Sequence, residues 1–451
     1  MGTDGSTQNA VIEALHRTTS WKFLSENFSS VEFSEPLFRS VMLQLKEPMN
    51  SRKALNFFHW AAKELHFEHG VSSYCIMIHI LAKARMIKDA KALLESILNK
   101  KTSSGGGGGG EPTEVIVLNE LINGFTAADS IPFVFDLFIQ TCAKLRMLDY
   151  VSVSCKQLLD DRGFSLSVIS FNTVLHVMEK SGRFDSVWLV YEQMIRSRTC
   201  PNEATVRTMV NALCKAGKLE SFLRLVDKMN GRRCSSPRVI ANAYLIHGMI
   251  GDDRIREGLS LLKWMLQKNF VFDTISCCLV VFAKVKTGEF AAAREIYRQL
   301  IDRGFAENAF ACSLFVEFCS ETGRIRDAVA VLAEMEKAGL TPTDEAMSRL
   351  VWGCASSGRL DDGLLHCRKM AEEMRLLPSR AAVNEMFRKL GEAGRTGEAD
   401  EMLTVLLEKG FEPDRNTYSH LVSGYGKEGA TDRVIRIQYE MKHRLDLNEI
   451  V

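Results

Sequence analysis

Several patterns that indicate particular chemistry are missing from this chain of 451 residues. It holds no Cys-x-x-Cys pair, so the usual spacing of zinc ligands is absent. It has no Gly-x4-Gly-Lys-Ser/Thr loop, which would bind nucleotide phosphates. Nor does it contain a run of about 18 uncharged apolar residues, the length that a membrane-spanning helix needs. We therefore expect a protein without metal ligands, cofactor, catalytic residues or membrane span.

An excess of charge of either sign is missing too. The 57 Lys and Arg residues nearly balance the 56 Asp and Glu residues, which leaves a formal net charge of +1. Nucleic-acid-binding proteins usually carry a basic excess, so this balance argues against binding that rests on overall charge. The twelve cysteines accompany no apolar secretory segment, and we interpret them as reduced thiols in a reducing compartment.

The first residues contain no clear targeting segment. The opening MGTDGS fits the myristoylation pattern, but that pattern is short and chance produces it readily. A transit peptide would be rich in Arg and poor in acids, whereas Asp4 and Glu13 lie in this stretch. We expect any organellar address to have been cleaved or to lie outside these residues.

Repetition is the main feature that the sequence does have. The stretch ETGRIRDAVAVLAEMEKAGLTP at 321–342 returns in similar form at 392–414. A Met or Leu recurs every 35 or 36 residues, at Met194, Met229, Met265, Leu300, Met335, Met370, Leu406 and Met441. A Gly keeps the same period at Gly182, Gly217, Gly288, Gly323, Gly358, Gly394 and Gly429. Asp253 replaces it in the one exception. Such a period is typical of a solenoid, in which each unit buries its apolar face against its neighbours.

The apolar spacing inside one unit is helical. In the unit 309–343, apolar residues recur at three- and four-residue intervals on both sides of Gly323. Gly323 can take a positive φ and end the first helix, and the second helix ends where Gly339 and Pro342 follow. Each unit is therefore predicted to be an antiparallel hairpin of two helices, and the fold class is predicted to be all-α.

These units resemble the pentatricopeptide repeat family. FNTVL at 171–175, KAGKL at 215–219 and GFEPD at 410–414 carry the resemblance, whereas the W-x2-L-G-x2-Y opening of the tetratricopeptide repeat is missing. The resemblance is to the repeat-only P-class of plant organelles. It implies a right-handed superhelical solenoid of antiparallel helical hairpins with a 35-residue period. Eight tandem units are expected, at 168–202, 203–238, 239–273, 274–308, 309–343, 344–379, 380–414 and 415–449.

The rest of the chain is expected to extend this array. We interpret 71–104 and 133–167 as degenerate repeats. Between them, 105–132 is expected to hold a flexible Gly-rich insert and a connecting helix, because KKTSSGGGGGGEPTE contains six consecutive glycines. Residues 1–70 are expected to form a helical cap.

The resemblance implies how such an array would read RNA. Members of the family bind single-stranded RNA at about one base per repeat, with two or three side chains reading each base. By the family's pattern, the readers are the fifth and the last residue of each unit. Carried onto this chain, the reading pairs are Asn172 with Asn202, Arg207 with Arg238, Ala243 with Asp273, Cys278 with Asn308, Ser313 with Thr343, Ser348 with Ser379, Asn384 with Asp414, and Ser419 with Glu449.

The pairs differ in how well they suit base reading. Asn384 with Asp414 resembles the family's uracil reader, and Asn172 with Asn202 resembles a pyrimidine reader. Asn offers both donors and acceptors, whereas Asp only accepts, so these combinations can discriminate between bases. Ala243 has no hydrogen-bonding side chain, and the Arg pair suits contact with the RNA backbone. The last residues have an alternative role as helix N-caps, whatever the protein binds.

Two further roles follow from the resemblance. The second residue of a unit would stack against bases, and the thirteenth would contact phosphates. The expected stacking residues are Ile169, Ile240, Ile275 and Phe310. The expected phosphate-contacting residues are Lys180, Lys215, Lys286 and Lys427. The alternatives are interhelix packing for the first set and solvated helix ends for the second. Glu321 and Glu392 hold the thirteenth place in two units and would interrupt a row of lysines.

Two functions stay open at the level of sequence. The resemblance implies a sequence-selective single-stranded RNA-binding protein. By occupying its target it would act in organelle RNA metabolism, in transcript stabilisation, splicing, end processing or translation. It would be a monomer in the mitochondrion, or alternatively the chloroplast, with protein cofactors as further partners. The alternative function is a helical scaffold, similar to a tetratricopeptide repeat array, that binds a protein partner in its concave groove.

Overall fold

The computed structural model describes residues 9–15, 21–28, 33–100, 112–160 and 163–448. All regular secondary structure in these ranges is helical, as the sequence predicts. Residues 105–111 of the expected Gly-rich insert, and Glu449, lie outside the described residues. The chain forms two compact units, Met1–Lys218 and Leu219–Val451, which we call the N-terminal and the C-terminal half.

Helices α1 to α12 belong to the N-terminal half. They span, in order, 9–15, Trp21–Phe28, Glu35–Gln44, Ser51–Glu64, Val71–Lys83, Ile87–Asn99, Thr113–Gly124, Phe133–Lys144, Leu148–Asp160, Val168–Lys180, Phe184–Arg196 and Glu203–Lys215. A 3-10 turn at Pro48–Asn50 precedes α4.

Helices α13 to α25 belong to the C-terminal half. They span, in order, Leu219–Asn230, Pro237–Gly251, Ile255–Gln267, Asp273–Lys286, Phe290–Asp302, Ala309–Glu321, Ile325–Lys337, Asp344–Ser356, Leu360–Lys369, Arg380–Glu392, Thr396–Glu408, Arg415–Lys427 and Thr431–Asn448. A π-helical turn at Met370–Met374 follows α21. None of the described helices is both long and apolar enough to cross a membrane.

Left-handed turns join the two helices of a hairpin. Gly182, between α10 and α11, has a φ of 72°, which a residue without a Cβ adopts at little cost. Asp253, the exception to the glycine period, has a φ of 60° in the turn between α14 and α15. Asp is among the few residues with a side chain that visit this conformation. The turn geometry is therefore kept even where the glycine is not.

Most first helices begin where the sequence places the start of a unit. This holds for α10, α12, α18, α20, α22 and α24. Helix α14 begins two residues early, at Pro237, because the fixed φ of Pro suits the first helical turn. Helix α16 begins one residue early, so Asp273 lies in its first turn and Phe272 takes the N-cap position.

Neighbouring hairpins pack through their first helices. In the N-terminal half α10 contacts α8 and α12, and in the C-terminal half α22 contacts α20 and α24. Phe387 in α22 and Tyr418 in α24 are fully buried, as is Tyr191 in the second helix α11. Complete burial of an aromatic side chain such as Phe387 contributes about 1.5–3 kcal/mol. Because first helices lie side by side, the fifth residue of one unit comes close to the start of the next.

Helix α13 packs in a way that the repeat pattern does not predict. Within the C-terminal half it contacts α16 and α18, the first helices of two successive units. Asn308 Nδ2 donates to the Met229 carbonyl at 2.7 Å, and Lys228 Nζ donates to the Pro342 carbonyl at 2.7 Å. Helix α13 thereby covers the reading residues of the unit 274–308.

Candidate nucleic-acid interface

Asn172, Asn202 and Thr205 form a hydrogen-bonded cluster where α10 meets the start of α12. Asn172 Nδ2 donates to Asn202 Oδ1 at 3.0 Å, and Thr205 Oγ1 donates to Asn172 Oδ1 at 2.6 Å. Asn202 also caps α12, because its Oδ1 accepts the backbone N–H of Thr205 at 3.0 Å. The two expected readers are in contact, and Asn202 serves as a cap and as a partner of Asn172 at once.

The same cluster recurs in the C-terminal half with Asn384, Asp414 and Thr417. Asn384 Nδ2 lies 3.2 Å from Asp414 Oδ1, and Thr417 Oγ1 donates to Asn384 Oδ1 at 2.8 Å. Burial disfavours the Asp414 carboxylate, but hydrogen bonds from the Thr417 backbone and the Asn384 side chain outweigh it. The pKa of Asp414 therefore lies below its ordinary value. At neutral pH this cluster presents a carboxylate, which only accepts hydrogen bonds.

Two Ser pairs are connected differently. The backbone N–H of Thr343 donates to Ser313 Oγ at 2.9 Å, and that of Ser379 donates to Ser348 Oγ at 2.9 Å. Thr343 and Ser379 also cap α20 and α22. Ser313 and Ser348 are buried, and their hydroxyls accept hydrogen bonds from the backbone. They are therefore less available to a base than the two Asn side chains are.

Other expected readers are less available. Ala243 is fully buried, and Asn308 lies buried beneath α13. The Cys278 thiol is also buried there and donates to the Met229 carbonyl at 3.5 Å. Ser419 Oγ is exposed but donates to a carbonyl one turn back in its own helix at 2.8 Å.

The two Arg residues proposed for backbone contact each have a partner in their own half. Arg207 forms an ion pair with Glu203 at 2.9 Å. The Arg238 guanidinium lies 4.9 Å from the centre of the Phe270 ring, as in a cation–π contact. The Arg207 side chain is about two-thirds exposed, so its ion pair with Glu203 is a weak one that a phosphate could displace.

Ile169 is the one expected stacking residue that lies on the surface. Its exposed fraction is 71%, compared with 5% for Ile240, 0% for Ile275 and 3% for Phe310. The last three pack inside the C-terminal half, which agrees with the interhelix role that the sequence left open. Ile169 stays a candidate for stacking, in the unit that contains Asn172.

The lysines at the thirteenth place fall into two groups. Lys180, Lys286 and Lys427 are exposed, and no carboxylate of the described residues forms an ion pair with them. Lys215 forms an ion pair of 2.5 Å with Glu179, whose side chain is 4% exposed. Because Lys215 neutralises the buried Glu179 carboxylate, it is less available to a phosphate than the three exposed lysines are.

A cavity of about 690 Å³ opens in the C-terminal half beside α16 and α18. Its lining includes the rings of Phe282 and Phe310 together with Glu317 and Lys286. Burial, reinforced by the neighbouring Glu345, raises the pKa of Glu317 to about 7. This acid therefore changes its charge near neutral pH.

Thr205 and Thr417 are residues of these clusters that the pattern of fifth and last places does not include. Each is the third residue of the unit that follows an Asn pair. The sequence carries a signal for them, since Asn202 and Asp414 are both followed three places later by Thr, as in a capping box. That signal predicts the contact with the cap but not the second bond, which reaches back to the previous unit.

Family models match several parts of the chain. The PPR repeat family matches 166–215, the pentatricopeptide repeat domain matches 402–444, and the PPR repeat matches 72–101 and 204–234. The match at 72–101 falls on the first segment that the sequence presents as a degenerate repeat.

Curated relatives cover the repeats in part. A mitochondrial pentatricopeptide repeat-containing protein of Arabidopsis thaliana is 38% identical over 222 residues, which is 49% of this chain and 39% of that protein. A second Arabidopsis pentatricopeptide repeat-containing protein is 29% identical over 41% of this chain and 16% of its own length. The chain thus spans well under half the length of these relatives.

The comparison with solved structures matches the maize pentatricopeptide repeat protein PPR10. One crystal structure of it shares 16% identity and covers 97% of this chain and 74% of that chain, with a TM-score of 0.37. Its complex with an 18-nucleotide psaJ RNA element shares 13% identity and covers 98% and 65%, with a TM-score of 0.39.

Proposed function

The chain is a member of the pentatricopeptide repeat family, and from this premise we propose that it binds single-stranded RNA in a sequence-selective manner. The two Asn clusters support the proposal most directly. In each, the fifth and the last residue already touch each other. An amide with one N–H and one lone pair left over can pair with the edge of a base. A base that does not complement it leaves these groups unpaired, which lowers its affinity.

The two clusters favour different bases. Asp414 only accepts, so the second cluster suits a base that presents an N–H donor beside a carbonyl, as uracil does. Asn384 would donate to that carbonyl, and Asp414 would accept from the N–H. The first cluster has no charge, because its last residue is Asn202 and its fifth is Asn172. The first cluster therefore suits either pyrimidine, because its uncharged amides do not require a base that presents an N–H donor.

Contacts with phosphates would rest on a few exposed lysines. Lys180 lies at the end of α10, the helix that carries Asn172, and Lys427 lies at the end of α24, the helix that Asp414 caps. Each phosphate contact on single-stranded RNA adds about −0.7 to the slope of log K against log salt. With a formal net charge of +1, we expect a shallow slope and affinity that depends strongly on base contacts.

The mechanism that this binding supports is occupancy. A stably bound array would exclude nucleases and competing RNA structure from its target, which requires no chemical step by the protein. Relatives named as mitochondrial support an organellar site of action, with the mitochondrion as the proposed compartment. The chloroplast is the alternative compartment.

A protein partner is the second candidate function. The cavity beside α16 and α18 contains aromatic rings, and the acids Glu317 and Glu321 are part of its lining. Acids there would repel phosphates, whereas a peptide with basic and apolar side chains would complement them. A scaffold that binds protein through this cavity would use different residues from the two Asn clusters.

Ultraviolet cross-linking distinguishes the two candidates. The full chain would be irradiated with a random single-stranded RNA pool, and the cross-linked peptides would be identified by mass spectrometry. We expect cross-links in peptides from α10 and α22, around Asn172 and Asn384. Cross-links no more frequent than with single-stranded DNA, or confined to second helices, would contradict the RNA function.

A further inference from the structure

We propose that Thr205 and Thr417 are positioning residues that fix the amide orientation of Asn172 and Asn384 and thereby determine which base each cluster accepts. This inference rests on the proposed function and extends it to residues outside the reading pairs. Both Thr side chains are fully buried, at 0% exposure, so neither would touch RNA itself. Their influence on a base would pass through the Asn side chain.

The direction of the hydrogen bonds shows how each Thr orients its Asn. The backbone N–H of Asn202 donates to Thr205 Oγ1 at 3.2 Å, which occupies the hydroxyl as an acceptor. The hydroxyl has one proton, and the shorter of its two acceptor contacts is Asn172 Oδ1 at 2.6 Å. That proton marks one end of the Asn172 amide as the carbonyl. The other end is then the NH2 group that meets Asn202.

The second cluster repeats this arrangement atom for atom. The backbone N–H of Asp414 donates to Thr417 Oγ1 at 3.2 Å, and the hydroxyl donates to Asn384 Oδ1 at 2.8 Å. The two clusters belong to different halves of the chain, so they are independent instances of one pattern.

The Ser units provide the contrasting case. There the N–H of the last residue donates to the Ser hydroxyl at the fifth place, as between Ser379 and Ser348. The third residue of the next unit is then Ala, at Ala346 and Ala382. Thr accompanies a fifth-place Asn, and Ala accompanies a fifth-place Ser. Between the Asn and the Ser units, the hydroxyl at the third place is thus present after a fifth-place Asn and absent after a fifth-place Ser.

A third hydroxyl in the N-terminal half donates to a side-chain acceptor in the preceding first helix. Asp136, the acceptor, is the fourth residue of the segment 133–167, one place before the fifth. Ser170, the third residue of the next unit, donates to Asp136 Oδ1 at 2.5 Å and accepts from Gln140 Nε2 at 2.9 Å. The third-place hydroxyl therefore donates back to the preceding first helix here as well.

Loss of the hydroxyl would let the amide turn over. The oxygen and nitrogen of an Asn amide have nearly the same shape, so only hydrogen bonds decide which way it points. Turned over, Asn172 would present a donor where it now presents an acceptor, and a different base edge would fit. Asn384 is held in addition by the Asp414 carboxylate, which repels a carbonyl oxygen. We therefore expect a larger effect at Thr205 than at Thr417.

The test compares base preference in matched variants of the full chain. RNA ligands come from selection with the unmodified protein, and dissociation constants are measured for ligands that differ at one nucleotide. Thr205→Val keeps the side-chain shape and removes the hydroxyl, and Thr205→Ser restores it. Thr208→Val is the control, because Thr208 lies in the same helix and its hydroxyl donates only to the Ala204 carbonyl.

We expect Thr205→Val to reduce discrimination at one nucleotide by about tenfold, the size of one base-specific contact. Thr205→Ser and Thr208→Val should retain it, and Thr417→Val should lose about threefold at another nucleotide. An equal loss of affinity for every ligand, with preference unchanged, would reduce Thr205 to a structural role and overturn the proposal. If selection with the unmodified protein yields no motif, the proposed RNA function fails first.

A double variant keeps the proposal testable if Thr205→Val does not fold. Asn172→Ser combined with Thr205→Ala would copy the arrangement of the Ser units, in which the Ser hydroxyl receives the N–H of Asn202. We expect this pair to unfold at a higher temperature than Thr205→Ala alone, and to show the base preference of a Ser unit. A double variant less stable than Thr205→Ala would show that the two arrangements are not interchangeable, contrary to the proposal.

Discussion

Asn384 donates its side-chain amide to the Asp414 carboxylate across 30 residues of sequence, at a distance of 3.2 Å. The two meet because α22 and α24 pack side by side and Asp414 caps the second of them. Both side chains are therefore held in place before any ligand arrives. Preorganisation of this kind lowers the entropic cost of binding, since few side chains have to be ordered by the RNA.

Asn384→Ser should change base preference at one nucleotide with little loss of total affinity. The shorter side chain no longer reaches Asp414, so the pattern of donors and acceptors at the edge of the cluster changes. Comparison of dissociation constants for four ligands that differ at that nucleotide measures the effect. Asn99→Ser makes the same chemical change at an exposed position at the end of α6, a second helix, and should leave the preference intact. Equal behaviour of the two variants would remove Asn384 from the reading surface.

Lys180→Gln and Lys427→Gln should weaken binding to all RNA sequences alike. Each removes one exposed charge at the end of a first helix, so the salt slope should flatten by about 0.7 per lysine. Titrations at several salt concentrations give the slope. Lys409→Gln, which removes an exposed charge at the end of a second helix, should leave the slope unchanged. A slope that is insensitive to Lys180 and Lys427 would contradict the proposed phosphate contacts.

Lys215→Met should lower the stability of the N-terminal half, in addition to any effect on RNA affinity. It leaves the buried Glu179 carboxylate without its partner, at a cost of about 1–3 kcal/mol in the free energy of unfolding. Hydrogen exchange in α10 and α12 locates the loss of stability, and urea unfolding measures its free energy. Adding Glu179→Gln should recover part of it, because a neutral amide is cheaper to bury than a carboxylate. Lys180→Met, at the same place one unit earlier, should cost little, and an equal cost for both lysines would contradict the prediction.

Glu317 should make the stability of the C-terminal half fall as pH rises. Its pKa is raised from 4.5 to about 7, chiefly by burial, with Glu345 and Glu321 adding to the shift and Arg349 opposing it. The folded state therefore holds the proton more tightly than the unfolded state. The stabilisation is fully present below about pH 4.5 and is lost as pH rises through about 7, by up to about 3 kcal/mol.

Urea unfolding at about pH 5 and about pH 8 checks this prediction, because the two values bracket the pKa of the folded state. Glu317→Gln, which stays neutral, should reduce the difference in stability between them. Glu408→Gln, at an exposed position in the same half, should not. A pH dependence that is the same in all three proteins would show that Glu317 does not titrate as described.

Asn308→Ala should lower stability rather than change base preference. Asn308 is buried, donates to the Met229 carbonyl and caps α18 by accepting from the Ala311 backbone N–H at 3.1 Å. Loss of a buried hydrogen bond together with a cap costs about 1–3 kcal/mol. Thermal unfolding measures the loss, with Asn416→Ala as an exposed control. A variant of normal stability with altered base preference would mean that α13 does not cover Asn308 in solution.

The period of 35 residues predicts the helices well because each boundary has a local cause. The glycines that follow the first helices take left-handed conformations, and Ser167, Asn202 and Asp414 accept the N–H groups of the helices after them. These features depend on a few neighbouring residues and can be inferred from one chain. Asp273 shows the limit, since Phe272 rather than Asp273 precedes the helix.

Features that depend on distant contacts could not be predicted in the same way. The ion pair between Lys215 and Glu179 joins two units, and nothing within either unit indicates it. The contact of α13 with α16 and α18 spans even more of the chain. The burial of Ile275 follows from packing that the second place of a unit does not specify. Thr205 could be predicted only in part. Its contact with the cap residue Asn202 is local, whereas its hydrogen bond to Asn172 joins two units.

Selection of the full chain against a randomised single-stranded RNA pool tests the central claim most directly. Single-stranded DNA would serve as competitor, and affinity would be followed at several salt concentrations. At about one base per unit, the account predicts an enriched motif of about eight nucleotides, with a uracil at the position that Asn384→Ser alters. Weak binding without a motif, which disappears as salt rises, would contradict sequence-selective RNA recognition and favour a protein partner instead.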